Sequence, residues 1–277
     1  MAGTAPYFAY AVINDQANSD GSFIIPVLEN ALDGREGLTL PVIVETSAFN
    51  SEVSITNWDS AGKTLNLSFV SDSLTTTDRT SALSLFIGAG EQRIIPNFVQ
   101  YMRDRGSSGI GPVGPAYAGA LFADTSSNNM KGLFLGARTS TPGGGGHYGL
   151  FYTAIPYGSA ANPSTYIYGL QQNGENRTNL AIINTGEVDS SADTFKIDFF
   201  NGDTGVKVNT VQLTPLEAKR WRQYGTVLSQ FAPGITQGYA KIQRTSGFNP
   251  FIVYSVINDG SGAGQRTGDG AFVMSTH

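Results

Sequence analysis

His147 is the one internal histidine, the side chain used most often as a general base, and it follows four glycines in Thr141-Pro142-Gly143-Gly144-Gly145-Gly146-His147-Tyr148. The other histidine, His277, is the final residue, where fraying is expected to deny it a fixed geometry. Nucleophilic catalysis of the Ser-His-Asp kind needs an imidazole held in one orientation, which a glycine-flanked loop does not provide. No Gly-x-Ser-x-Gly elbow occurs. The glycine run also lacks the Lys-Ser/Thr of a phosphate loop. The expectation for His147 is an exposed imidazole on a mobile hairpin loop. No residue is assigned a catalytic role, and the chain is expected not to be an enzyme.

Oxygen-bearing loops are the next candidates. Asn14-Asp15 with Asp20, and Asn258-Asp259 with Asp269, flank two loops of similar design. Calcium takes about six to eight oxygen ligands from such side chains and carbonyls, so Asp15, Asp20, Asp259 and Asp269 are candidate calcium ligands. Asn and Asp beside Gly are equally what a tight turn requires. Glu187, Asp189 and Asp193 form a further cluster on one loop. Glycoside hydrolysis needs two acids facing each other across a sugar cleft, and the spacing pairs none persuasively. The chain carries 16 Phe, 12 Tyr and 2 Trp. Trp58, Tyr166, Tyr168 and Trp221 are candidates for a sugar-stacking platform, against the alternative that alternating aromatics fill a sandwich core. The basic run Lys219-Arg220-Trp221-Arg222 is too short for a nucleic-acid site and reads as the solvated face of a helix.

The elements that position these residues are strands. Val53 and Ile55 alternate with Ser54 and Thr56, Leu65, Leu67 and Phe69 with Asn66 and Ser68, and Phe195, Ile197 and Phe199 with Lys196 and Asp198. That period of two implies half-buried antiparallel strands. Asp59-Ser60-Ala61-Gly62 and Asn201-Gly202-Asp203-Thr204-Gly205 supply the turns between them.

The chain also repeats itself. Phe8-Ala-Tyr-Ala-Val-Ile-Asn-Asp15 returns as Ile252-Val-Tyr-Ser-Val-Ile-Asn-Asp259, each followed by Asp-Gly-x-Phe, at Asp20–Phe23 and Asp269–Phe272. A divergent copy runs from Phe134 to Tyr152. Between these hairpins, Glu52–Asn57 aligns with Asn179–Asn184, Leu65–Phe69 with Phe195–Phe199, and Ala116-Tyr117-Ala118 with Gly238-Tyr239-Ala240. Ile95, Phe98 or Val99, and Met102 have helical spacing, as do Trp221, Tyr224, Val227 or Leu228, and Phe231. The spacing predicts one short helix or helical turn in each half. The fold expected is all-β: two tandem antiparallel Ig-like β-sandwiches, 30–157 and 158–277, with an extra N-terminal β-hairpin at 1–29.

Composition narrows the class. Only 14% of the 277 residues are charged, and the net charge is −5, so no basic excess exists to release counterions from nucleic acid. Cysteine is absent, which excludes disulfides and thiolate metal sites. No apolar run is long enough to cross a bilayer. Met-Ala-Gly-Thr-Ala-Pro lacks the regions of a secretory signal, and its place inside a repeat suggests a piece excised from a longer exported protein.

Arg177-Thr178-Asn179-Leu180-Ala181-Ile182-Ile183-Asn184, then Gly238-Tyr239-Ala240, then Tyr254-Ser255-Val256-Ile257-Asn258-Asp259 resembles the tandem β-sandwich modules near the C-termini of large exported proteins of acidobacteria and related bacteria. The first half departs from that pattern at Asn50-Ser51-Glu52 and at Gly143–Gly146. The resemblance implies an extracellular or cell-surface accessory module without catalysis. The expected role is therefore a structural or adhesive module that self-assembles head to tail by strand addition through the surplus hairpin, unless that hairpin folds onto its own chain. The alternatives are a carbohydrate-binding module with polysaccharide as partner and a calcium-stabilised accessory domain of an exported enzyme. No cofactor other than calcium is implied.

Overall fold

The computed structural model describes residues 8–260 and 270–275. In chain order the first elements are β1 (Ala11–Asn14), β2 (Gly21–Ile24), β3 (Gly37–Glu45), β4 (Asn50–Asn57), β5 (Lys63–Ser71), β6 (Thr80–Ile87), β7 (Gln92–Ile95), α1 (Phe98–Asp104), β8 (Tyr117–Thr125), β9 (Leu133–Gly143), β10 (Gly146–Thr153) and β11 (Ile155–Pro156). The second half continues with β12 (Ser164–Gln171), β13 (Asn176–Asn184), β14 (Thr194–Asn201), β15 (Lys207–Gln212), β16 (Trp221–Tyr224), α2 (Val227–Phe231), β17 (Gln237–Ser246), β18 (Phe251–Asp259) and β19 (Gly270–Met274). The protein is all-β and sandwich-like, with every ladder antiparallel.

The alternating residues behave as their period demands. Val53, Ile55, Leu65, Leu67, Phe69, Phe195, Ile197 and Phe199 are buried, while the polar residues between them are partly exposed. In the second half the sheets run β16-β13-β18-β19 and β12-β17-β14-β15. The first half forms a continuous nine-stranded sheet in which β3 and β4 meet only at Glu45 and Asn50. On either side of that corner the orders are β7-β4-β9-β10 and β3-β8-β5-β6, strand for strand those of the second half. The three hairpins share one register: Val12 faces Phe23, Arg138 faces Phe151, and Val256 faces Phe272. Even a bulge recurs, between Leu40 and Ile43 of β3 and between Ile167 and Leu170 of β12.

Equivalent buried asparagines lock equivalent loops. Asn57, ending β4, donates to the carbonyls of Ala61, Ile87 and Gly88 and accepts the Asp59 N–H. Asn184, ending β13, donates to the Leu216 carbonyl at 2.9 Å and accepts the Gly186 N–H. Both are fully buried, where each bond offsets a desolvation that an apolar residue would not incur.

The structure corrects four sequence readings. Leu121 and Ala240 are the equivalent partners of Phe69 and Phe199, so Gly119-Ala120-Leu121 aligns with Gly238-Tyr239-Ala240, and Tyr117 is not the counterpart of Tyr239. Tyr117 lies in the core and accepts the Gly111 N–H. The spacing from Trp221 to Phe231 is not one helix: Trp221–Tyr224 is a strand on β13, Thr226 takes a positive φ, and only Val227–Phe231 is helical. The basic run is likewise not a helix face, because Lys219 sits in a positive-φ turn and Trp221 and Arg222 begin β16. In the first half α1 is helical, capped by Asn97 and burying Phe98, Val99 and Met102, whereas Ile95 ends a strand.

The two halves share a core. Leu180, Ile182, Phe251 and Val253 pack within the second half, whereas Ala181, Ile183, Ile252, Tyr254 and Val256, on the same strands, join the first-half cluster. The β16-β13-β18-β19 sheet is therefore covered on both faces, and its outer face lies on the sheet containing β3 and β8.

Gly119 and Gly238 set how closely β8 and β17 approach their neighbours. A Cβ on either would overlap a carbonyl oxygen, of Val70 or Phe200 respectively. Gly119→Ala and Gly238→Ala should each lower stability by ~1–3 kcal/mol or more, the cost of forcing extra volume into a packed sheet. Urea denaturation checks this, and unchanged midpoints would refute the close approach.

Candidate functional site

β10 is the outermost strand of its sheet, and β2 lies against it through side chains. The Gly149 N–H donates to Asp20 Oδ2 at 2.8 Å, Ser22 Oγ donates to the Gly149 carbonyl at 2.9 Å, and the His147 N–H donates to Asp15 Oδ2 at 3.0 Å. Asn18 Nδ2 reaches the Gly143 carbonyl at 2.9 Å. Arg138 pairs with Asp20 at 3.3 Å and donates to Ser22 Oγ. The N-terminal hairpin thus folds onto its own chain and satisfies the open edge of β10, where unpaired backbone groups would invite another strand. The N–H of Ala17, then that of His147, hold the Asp15 carboxyl below its ordinary value.

These bonds engage Asp15 and Asp20 with N–H donors. Asp259 lies at the end of β18, its carbonyl accepting Arg177, and Asp269 lies outside the described residues. Among the described residues, the structure does not bring Asp15, Asp20 and Asp259 together as a metal site. Among the described residues no group of three or more His, Asp or Glu side chains is placed to hold a metal.

The Glu187 loop is built around Asn249, which sequence reasoning passed over. Asn249 is fully buried. Its Oδ1 accepts the N–H groups of Val188 and Asp189 at 2.9 and 3.0 Å, and its own N–H donates to Asp193 Oδ2 at 3.0 Å. Asp193 is buried, and burial pushes its carboxyl above the usual value against the pull of the Asn249 N–H and Arg244. Glu187 is also raised by burial, and its Oε2 accepts the Gly158 N–H at 2.7 Å. The three acids diverge into loop locking. An Asn preceding a Pro, as at Asn249-Pro250, was the available signal.

Two surfaces remain as binding candidates. The first is a crevice of ≈ 290 Å³ between the halves, lined by Val42, Tyr148, Arg177, Trp221, Gln223 and Tyr254 among others. Trp221 Nε1 donates to the Tyr254 hydroxyl at 2.8 Å. The Tyr152 ring meets Phe272 at 4.7 Å and Tyr254 at 6.1 Å. Arg220 reaches across to Asp72 at 3.6 Å and to the Asp78 carbonyl, and the Lys219 ammonium stands over the Phe122 ring. Trp221 is thus part of the joint between the halves and not of an exposed platform.

The second surface is the outer face of the β12-β17-β14-β15 sheet. Tyr166 stacks on Tyr168 at 6.1 Å, Tyr168 meets Tyr239 at 6.0 Å, and Tyr239 lies flat on Phe200 at 4.8 Å. Lys241 sits over the Tyr166 ring. The structure therefore joins two of the four aromatics singled out in the sequence and adds Tyr239 and Phe200. Trp58 is 41% exposed in the turn after β4, its backbone N–H donating to the Gly132 carbonyl, in the other half of the molecule. His147 is exposed, its imidazole 4.0 Å from Asp15.

No known family model matches the chain, and no curated protein is significantly similar to it in sequence.

Asp20→Ala should accelerate hydrogen exchange at the His147 and Gly149 amides while leaving the global unfolding midpoint nearly unchanged, because the hairpin can detach locally. Mass spectrometry or NMR reads this, and exchange identical to wild type would refute edge capping by β2. Asp193 gives a pH prediction. Its raised folded pKa means the native state binds more protons than the unfolded chain between the two values, so its contribution to stability is present at low pH and lost as pH rises through the folded value. The stability of Asp193→Asn relative to wild type should therefore increase from acid towards neutral pH. A pH-independent difference in denaturation midpoint would contradict this.

Proposed function

We propose that the chain is a non-catalytic structural or adhesive module of an exported bacterial protein, built as two tandem β-sandwiches over 30–157 and 158–277 with a surplus hairpin at 1–29. The observation that carries this reading is the repeated strand order stacked sheet on sheet, with equivalent faces used in equivalent ways. An immunoglobulin-like assignment follows if β13, β14, β15, β16 and β17 take the B, C, C′, E and F positions. The A and G positions then belong to β18 and β12, so the first and last strands of that fold exchange places in chain order. Such a permutation suits tandem arrays, because each unit's final hairpin is positioned to meet the next.

The polar side chains support the same reading. Asp15, Asp20, Asn57, Asn184 and Asn249 bind backbone groups, and among the described residues no acid, base and nucleophile converge. A module of this kind belongs outside the cell or on its surface. Antibody labelling of intact producing cells should reach the chain, and recovery from the cytosolic fraction alone would sink the proposal.

One observation favours a second reading, a polysaccharide-binding module. Tyr166 and Tyr168 are exposed side by side on the outer face of a sheet, and exposed tyrosine rings are a surface against which sugars pack.

A further inference from the structure

The hairpins stack in sequence. Ser22 of β2 lies on Gly149 of β10, and at the equivalent place Leu150 of β10 lies beside Gly270 of β19. Phe23, Phe151 and Phe272, which share one register position, line a single groove of ≈ 520 Å³. Each hairpin thus receives the one before it in the same way, and the series has two free ends within the described residues.

At one end, the face of β1–β2 that corresponds to Tyr254, Val256 and Phe272 is bare. Tyr10 is 64% exposed, Phe23 48% and Ile25 55%, with Phe8 and Leu28 beside them. The Tyr10 and Phe23 rings are 5.1 Å apart, close to the 5.4 Å between Tyr254 and Phe272. A contiguous apolar surface of this kind marks an interaction site. In the third hairpin the same face is covered by Tyr152 of β10 and lines one crevice with Val42 and Val44 of β3. At the other end, the covering surface has an uncovered counterpart. The shared bulge aligns Val42 and Val44 of β3 with Gly169 and Gln171 of β12, and it places Tyr166 and Tyr168 on the same face, where β3 carries the buried Thr39 and Pro41. Tyr168 is 51% exposed.

We propose that these two surfaces bind each other between copies of this chain: Tyr10 and Phe23 of one copy dock on the β12 face of another that carries Tyr166, Tyr168 and Gly169, as the third hairpin lies against β3 inside each chain. The partner is a second copy, and the assembly is head to tail because the two surfaces differ, so each addition leaves one of each kind open. Faces meet here, and no strand is added to a sheet edge. The inference rests on the tandem structural reading above.

The test uses the full chain with two variants, Phe23→Asp and Tyr168→Asp, both at exposed positions, and a milder pair, Tyr10→Ser and Tyr166→Ser, in case an aspartate disturbs folding. Light scattering with size exclusion should show wild-type mass rising with concentration. Each variant should remain at one chain, with wild-type circular dichroism and melting. An equimolar mixture of Phe23→Asp and Tyr168→Asp should form dimers and nothing larger, since each keeps one working surface. A wild type that stays at one chain at every concentration, or variants that associate like wild type, would overturn the proposal. So would retention of single chains on a polysaccharide column that Tyr168→Asp abolishes, which would give the sheet face to a glycan. Single chains found at the cell surface would remove this pairing and leave the structural reading standing, whereas assembling chains confined to the cytosol would do the reverse.

Discussion

Successive residues of β13 and β18 point into different cores. Leu180, Ile182, Phe251 and Val253 pack within the second half, and Ala181, Ile183, Ile252 and Tyr254 pack against the first. Parting the halves would return those last side chains to water, at a cost of about 1.5–3 kcal/mol for each large one. The joint also fixes polar geometry. A buried Tyr254 hydroxyl needs a partner, and the Trp221 indole supplies it. Burial raises the Tyr254 pKa well above its ordinary value, so the phenol stays neutral in the joint. The Arg220 contacts with Asp72 and Asp78 close the periphery.

With one sheet buried on both faces, loops and edges have to be satisfied from within. The chain does this with short amides and carboxylates placed where backbone groups would otherwise be stranded. Asn57 and Asn184 close corresponding loops, and Asn249 with Asp193 closes a loop that has no first-half counterpart among the interactions described. Asp15 and Asp20 act on a sheet edge. These are the residue types a reader searching for chemistry notices first. Their geometry shows why: groups that bind N–H donors well also resemble metal ligands and catalytic acids.

Repetition gives the exposed surfaces meaning. An isolated row of tyrosines or a bare apolar hairpin would be hard to interpret. Here both correspond, position for position, to surfaces that the same chain covers elsewhere. Tyr10 and Phe23 occupy the places of Tyr254 and Phe272, and Tyr166 and Tyr168 stand where β3 carries Thr39 and Pro41. Tyr166 and Tyr168 are larger and more aromatic than the buried Thr39 and Pro41 at the equivalent places, and Tyr10 and Phe23 keep the residue types of Tyr254 and Phe272, so these surfaces are not merely relaxed copies that have drifted towards polarity.

Local sequence was enough to establish strands, turns and repetition. Alternation in Leu65–Phe69 and Phe195–Phe199 follows from a strand's two-residue period, and the Asp-Gly-x-Phe of the first hairpin sits in the register its repeat implied. Apolar spacing was ambiguous where a strand, a positive-φ turn and a short helix follow one another, as from Trp221 to Phe231. The small-Tyr-Ala pattern paired Tyr117 with Tyr239, although backbone approach at Gly119 and Gly238 sets the true correspondence. Whether Trp221 or Tyr168 faces solvent was settled only by tertiary contacts. Periodicity says that a side chain leaves one face of a strand; what covers that face comes from residues a hundred or more positions away, such as Val42 and Tyr152 against Tyr254.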